Sequence, residues 1–527
     1  MRQKLSPVVV VLAWLTLALI LAPVLALGLR VPWGDLGTIA TSAETRQLLE
    51  VTLASAVIAT LVALGLGLPL ALWMQRLRRG AFLARGLVLL PLALPPVVAG
   101  LALSAFIGRR GVAAPLLDLL GWQFAFAFPG VVASHVYIAL PFVVITLDAA
   151  LRQLDRNITE SAAAVGIPRG KILWRITLPA IAPALATAAG LAFARSLGEF
   201  GTTLTFAGSM PGVTRTMPLG IYLAREVEQS VAYGLAAILI FLAVVALALS
   251  TLPQLLRKKP AEPKPRAQAP VDQARLTALT KPDQPKASAQ FPTGKTTALI
   301  GPNGAGKTTL VRSLVAPGAV LLTQHPGLPH TTTALGAVAM VTDKAAELLD
   351  AAGLSELAQV PVTELSTGQA AQVALVRALA PRPGMLLLDE PLSAIDAPTS
   401  AQWRSLLRAA SQDRTTVIIT HDTADIFDLA DSVAVLERGE LRGLKTVADE
   451  AALPTTEFSA HLMGKARREG TAVGAAREGA PAEVRTPSGT IHGTIHGIAA
   501  TDLEAGSAAI AVYPLDAPDQ VLSLIHI

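Results

Sequence analysis

The chain has 527 residues, room for two or three domains, and is 52% hydrophobic but only 15% charged, which argues against a single soluble globule. Its formal charge of +5 is modest, and the basic residues flank apolar runs, a pattern of membrane orientation rather than of nucleic-acid binding. The absence of Cys excludes disulfides, thiolate metal sites and Cys nucleophiles.

Apolar runs long enough to cross a bilayer, about 20 residues each, fall near 7–29, 48–74, 83–107, 124–148, 180–200 and 231–255. The first is too long for a signal-peptide core and five more follow, so it reads as an uncleaved span. Arg76, Arg78, Arg79 and Arg85 occupy one loop, and Arg152, Arg156, Arg169, Lys171 and Arg175 another. The opposite loops carry only pairs of basic residues. Six spans with both ends in the cytoplasm satisfy this bias, and residues 1–256 are expected to be a transmembrane domain in the lipid bilayer of the cell membrane.

One cytoplasmic loop, "ESAAAVGIPRGKILWRITLP", carries Glu160, Ala162, Gly166, Ile176, Leu178 and Pro179. Small residues suit a short helix that docks closely, Gly166 can end it and Pro168 prevents its continuation. The plain alternative is an amphipathic connector. The spacing resembles the coupling loop of binding-protein-dependent ABC importers, which implies a role for Glu160, Ala162 and Gly166 in contacting an ATPase.

Residues 257–285 begin with "RKKPAEPKPRAQAP", a Pro-rich charged stretch expected to be a linker. An α/β domain is expected over 286–445. There "KTTALI" reads as a strand before the phosphate-loop pattern Gly301, Pro302, Asn303, Gly304, Ala305, Gly306, Lys307, Thr308 and Thr309. Backbone N–H groups and a helix N-terminus suit phosphate oxygens, with Lys307 toward the β and γ phosphates and Thr308 toward Mg²⁺. That loop alone leaves kinases and GTPases open.

Further downstream come Gln324 after a short strand, "LSTGQ" at Leu365–Gln369, "MLLLDEP" with Asp389 and Glu390, "LSAIDA" with Asp396, and "VIITHD" with His421. In this order the set resembles an ABC transporter ATPase. The resemblance implies ATP and Mg²⁺ as ligands, with Thr308, Gln324 and Asp389 at the metal. It implies catalytic parts for Glu390, His421 and Gln324. It also places Ser366, Gly368, Gln369 and Asp396 at a nucleotide site completed by a second copy of the chain, hence a homodimer. Taken singly, Ser366 reads as a helix N-cap, His421 as a strand-end polar residue and Asp389–Glu390 as solvated acids.

The likeness is incomplete. Only 17 residues separate Lys307 from Gln324, about half the family's usual span, so the β-rich arm beside adenine is missing. Phe291 is the only aromatic between 257 and 300, and it sits in what reads as a core strand. Thr367 replaces the first Gly of the signature, and the basic residue expected soon after it is absent. The expectation is a working ATPase with weak adenine contacts.

In the fifth span, Arg195 and Glu199 are four apart and read first as a same-face ion pair. Arg195, Thr202 and Thr203 also suit an oxyanion path. The stretch is similar to molybdate importer permeases, and less so to sulfate importers. This implies an oxyanion substrate delivered by an external solute-binding protein. Sulfate or ferric iron import, and a membrane-tethered nucleotide-sensing regulator, are the alternatives. Residues 446–527 alternate in places like the strands of a reduced β domain. His492 and His496 read as exposed polar positions, and "LSLIHI" is set aside as a scar.

Overall fold

The computed structural model describes residues 6–77, 79–255, 266, 268–325, 327–473, 481–486, 489–494, 508–515 and 523–526. Arg78, His496 and most of the Pro-rich stretch after residue 256 lie outside them. Two compact units emerge, Met1–Leu154 with Ala180–Lys259, and Asp155–Pro179 with Pro260–Ile527.

The first unit is helical. Helices Pro7–Gly28, Ala43–Arg76, Phe128–Gln153, Arg169–Leu197 and Gln229–Leu252 are long and apolar enough to span a bilayer. The expected span 83–107 is not one straight helix. It is the pair Ala81–Ala93 and Pro96–Ile107, bent by 109°. Pro95 and Pro96 explain the break, since neither donates an amide and each restrains the residue before it. Helix Ala43–Arg76 packs on Phe128–Gln153, and its Ala56, Ala59, Ala63, Gly67 and Ala71 are buried. Small residues in a row let two helix backbones approach where lipid offers no hydrophobic drive. A Cβ at Gly67 would lie 2.7 Å from Val143 Cγ1. Asp148, buried near the end of its helix, binds Arg85 at 3.0 Å, Arg152 at 2.7 Å and Gln75 at 2.7 Å.

The second unit is built on a mixed six-stranded sheet. Its strands are β1 (Thr296–Ile300), β2 (Ala319–Leu322), β3 (Met385–Asp389), β4 (Thr415–Ile419), β5 (Ser432–Glu437) and β6 (Glu440–Thr446), in the order β2-β3-β4-β1-β5-β6. The first five are parallel and β6 returns antiparallel to β5. β1 to β4 are buried at every position, as their unbroken apolar or Thr-rich runs require for a sheet covered on both faces. Phe291 is 2% exposed and belongs to this core, as expected, but it stands in the turn before β1 and not in a strand.

The expected linker 257–285 is not extended throughout. Helix Gln273–Thr280 lies within it, capped by Asp272, with Leu276 fully buried among the residues of this unit. Arg275 pairs with Asp350 at 2.6 Å, and Arg414 donates to the Thr280 carbonyl at 2.7 Å. The docking side of this helix therefore belongs to the α/β core. A second sheet of five strands, β7 (Lys465–Ala472), β8 (Pro481–Thr486), β9 (Gly489–Thr494), β10 (Ala508–Pro514) and β11 (Ser523–His526), has the order β11-β10-β7-β8-β9. Ser523–His526 of "LSLIHI", set aside on sequence grounds, form β11, which pairs antiparallel with β10. His492 lies in β9.

Residues 155–179 pack within this second unit. Helix Arg156–Ala164 starts at Asp155, whose carboxylate accepts from the Asn157 amide at 2.9 Å, and it ends before Gly166 at φ +85°. Ile158, Ala162, Val165 and Ile167 join one apolar cluster with Leu322, Leu328 and Val338.

Candidate nucleotide site

The parallel strands β3 and β4 end at one edge of the sheet, and the loop after β1 reaches the same edge, so residues far apart in sequence meet there. After β1 the chain turns through Gly301–Gly306 into helix Lys307–Ser313. Gly304 and Gly306 have φ of +81° and +98°, backbone that favours glycine and aims successive amides into one hollow. A Cβ at Gly301 would collide with the Leu436 carbonyl. These features fit a phosphate cradle.

Lys307 is 8% exposed, and its ammonium donates to the carbonyls of Gly301 at 2.6 Å and Pro302 at 3.1 Å. Burial pulls its pKa below the ordinary value, opposed by the nearby charges of Asp389 and Glu390. The Thr308 hydroxyl donates to Asp389 Oδ2 at 2.9 Å. Burial pushes the Asp389 carboxyl up, an effect the Thr308 hydrogen bond opposes. A hydroxyl beside a carboxylate is an oxygen donor set of the kind that suits Mg²⁺.

Glu390 follows β3 at φ +48°, a rare conformation for a residue with a side chain. Its amide donates to the Ile419 carbonyl at 2.9 Å, and Ser393 Oγ donates to its carbonyl at 3.0 Å, which hold the backbone there. Gln324 Nε2 donates to Glu390 Oε2 at 2.7 Å, and His421 Nε2 lies 3.6 Å from Oε1. Gln324, Glu390 and His421 thus form one cluster. Gln324 faces Glu390 rather than Asp389, whose hydrogen-bond partner is Thr308.

Ser366 caps helix Thr367–Leu379. Its hydroxyl accepts from the Gln369 amide at 3.2 Å and Gln369 Oε1 accepts from the Ser366 amide at 3.0 Å. Within one chain, then, Ser366 and Gln369 act as a capping box. Gly368 sits tightly under the Ala394 carbonyl, 3.0 Å from where a Cβ would be. Asp396 caps the next helix, and the Thr399 amide holds its carboxyl below the usual range. A cavity of about 460 Å³ lies beside the cluster, lined by Gln324, Glu390, Thr367, Gly327 and, from the 155–179 segment, Asn157 and Ile158.

Two positions near the site went unread in the sequence. Arg404 donates to Asp422 at 2.9 Å and to Asp425 at 2.7 Å, and Thr420 donates to Asp425 at 2.8 Å, so both flanks of His421 are braced. Arg377 reaches Ser161 and Gly327. Nothing in a helical "ALVRAL" signals that its Arg points inward.

In the first unit, Arg195 pairs with Glu199 at 2.9 Å, the same-face ion pair that the spacing gives. Glu199 also accepts from the Thr202 amide at 2.9 Å, and Thr202 Oγ1 donates to the Pro96 carbonyl at 3.3 Å. Thr203 Oγ1 and both ring nitrogens of His135 are buried without a partner among the described residues. His135, in a spanning helix, was not singled out from sequence.

Residues 63–259 match the family described as "Binding-protein-dependent transport system inner membrane component". Residues 285–318 and 315–393 match the family described as "ABC transporter", and the two matches meet within the shortened stretch between Lys307 and Gln324. The "Molybdenum transport system permease protein ModB" of Mycobacterium bovis is 40% identical over 224 residues, 42% of this chain and 85% of that protein. Its Escherichia coli namesake is 40% identical over 164 residues, 31% of this chain and 72% of that protein. The "Molybdenum import ATP-binding protein ModC" of Mycobacterium tuberculosis is 33% identical over 267 residues, 42% of this chain and 70% of that protein.

Proposed function

We propose molybdate import for this chain, which belongs to the binding-protein-dependent ABC transporters and joins permease and ATPase in one multi-pass membrane polypeptide. The observation that carries the substrate is the 40% identity of its first half to molybdenum permeases over most of their length. A homodimer brings two permease units and two nucleotide sites together, and an external binding protein supplies the oxyanion. Arg195, Thr202 and Thr203 lie on its path. A guanidinium and hydroxyls suit a tetrahedral anion, and the Glu199 carboxylate compensates the Arg195 guanidinium within the membrane.

In the ATPase, Lys307 exchanges its contacts on the Gly301 and Pro302 carbonyls for the phosphate oxygens of ATP. Thr308 and Asp389, with Gln324 beyond them, would hold Mg²⁺. Bound there, the metal neutralises charge on the phosphate oxygens. Glu390 polarises the attacking water, Gln324 orients it and His421 steadies the departing phosphate's side of the cluster. Ser366, Gly368, Gln369 and Asp396 face the nucleotide held by the partner copy. The segment with Glu160, Ala162 and Gly166 transmits closure of the ATPases.

The test is ATP hydrolysis by the full chain in lipid, with an oxyanion-binding protein and molybdate, sulfate or ferric iron. Stimulation by molybdate above the others supports the reading. Nucleotide binding with no stimulation by any solute would replace it with a regulator.

A further inference from the structure

We propose that Arg377 is a positioning residue for energy coupling, its one guanidinium tying helix Arg156–Ala164 to the loop that carries Gln324. The inference rests on reading residues 155–179 as the coupling segment. Arg377 lies on helix Thr367–Leu379, the helix that Ser366 opens, and is fully buried. Its Nη2 donates to Ser161 Oγ at 2.7 Å and its Nη1 to the Gly327 carbonyl at 3.2 Å. Ser161 is itself fully buried. One planar fork therefore spans three elements: the segment 155–179, the Gln324 loop and the helix behind the signature.

Among the described residues, the partners of Arg377 are the Gly327 carbonyl and Ser161 Oγ, neither of them a carboxylate, and its Nε has no partner. Burial alone pulls its pKa down to about 10, so it remains a cation at neutral pH. A buried cation without a counter-ion is a poor way to stabilise a core, where an apolar side chain of similar size serves as well or better. What Arg supplies and Met or Leu does not is a rigid pair of donors at fixed separation.

Gly327 gives an independent sign of the same contact. A Cβ there would lie 2.5 Å from Asn157 O and 2.5 Å from Ile158 Cα, so the loop backbone rests directly on the helix backbone. With no side chain between them, a shift of the helix is passed to Gly327 without slack. Three residues earlier, Gln324 donates to Glu390 at 2.7 Å. A mechanical line thus runs from Ser161 through Gly327 and Gln324 to Glu390, with Arg377 holding its first two members in register.

The experiment uses the full chain in lipid vesicles, in four forms: unaltered, Ser161→Ala, Gly327→Ala and Arg377→Lys. Amide hydrogen exchange is read along the chain, and kcat and KM for ATP are measured in the same vesicles. Loss of a charge-assisted buried hydrogen bond corresponds to about tenfold in an equilibrium. We expect exchange at 156–167 to rise by about that factor in Ser161→Ala and Arg377→Lys, and to rise in Gly327→Ala because the added Cβ meets Asn157 and Ile158, while β3 exchanges as before. kcat should fall with KM for ATP unchanged, because no nucleotide contact is touched. Ser161→Ala and Gly327→Ala carry the test should Arg377→Lys fold poorly. Unaltered exchange at 156–167 would overturn the proposal. So would a rise that includes β3, since Arg377 would then be a core residue only. Molybdate is absent from the assay, so an error in the substrate leaves these outcomes untouched.

Discussion

Gln324 and Glu390 share a hydrogen bond of 2.7 Å although 66 residues separate them in the chain. They follow β2 and β3, which are paired in parallel, and so reach the same edge of the sheet. Glu390 is thereby held between an amide donor and the His421 ring, in a backbone conformation that its neighbours must enforce.

Replacing Glu390 by Gln keeps the shape of that cluster and removes the proposed base. ATP should still bind, while turnover falls by at least about a hundredfold, the lower range for loss of a general base. Single-turnover hydrolysis and nucleotide binding on the same sample check this. Near-normal turnover would remove Glu390 from the role.

Arg404 predicts a smaller effect of a different kind. Its two bonds to Asp422 and Asp425 brace the strand end that presents His421. In Arg404→Gln, which loses its charge at both bonds, kcat should drop by about tenfold or more while ATP affinity holds, about tenfold being what one charge-assisted hydrogen bond is worth. A fall in affinity of the same size would place Arg404 at the nucleotide instead.

Gly166 ends helix Arg156–Ala164 at φ +85°, with nothing within 4 Å of where a Cβ would be. A Leu there meets no obstacle but strains the backbone by roughly 1–2 kcal/mol, which displaces Ile167 from its apolar cluster. Solute uptake should fall while hydrolysis in detergent persists. Equal loss of both, in folded protein, would speak against a coupling segment. By contrast, the Glu160–Arg312 pair at 3.5 Å is more than half exposed on both sides, so Glu160→Ala should barely move the unfolding temperature.

The short passage from Lys307 to Gln324 leaves little to grip adenine, and Phe291 is buried in the core rather than offered for stacking. A base–aromatic stack is worth about 1–3 kcal/mol on nucleic acids, so its loss weakens binding by roughly five- to a hundredfold. Hydrolysis rates for ATP and GTP across a concentration series should therefore differ little, with a high KM for both. A strong preference for ATP would show that another residue recognises the base.

The phosphate loop, Asp389, Glu390 and His421 were legible because each is bound to a short strand–loop pattern whose chemistry is local. Arg377 was not, because its partner Ser161 stands 216 residues away and a lone Arg on a helix reads as solvated. The break at Pro95–Pro96 was written in "LALPPVV", yet hydropathy averaged over a window runs straight through it. Helix Gln273–Thr280 was masked by the Pro-rich stretch before it, while the Asp272 cap and the apolar Leu276 were the available signals. Ser366 shows the reverse case: its N-cap role is satisfied within the chain, and the role proposed for it at a partner's nucleotide depends on a second copy.

The most direct test of the account is molybdate accumulation in right-side-out membrane vesicles that contain this chain and internal ATP, with an oxyanion-binding protein added outside. The account predicts ATP-dependent uptake of molybdate that sulfate competes for weakly and that Glu390→Gln abolishes. Uptake that persists in Glu390→Gln, or vesicles that hydrolyse ATP yet accumulate sulfate or ferric iron in place of molybdate, would contradict it.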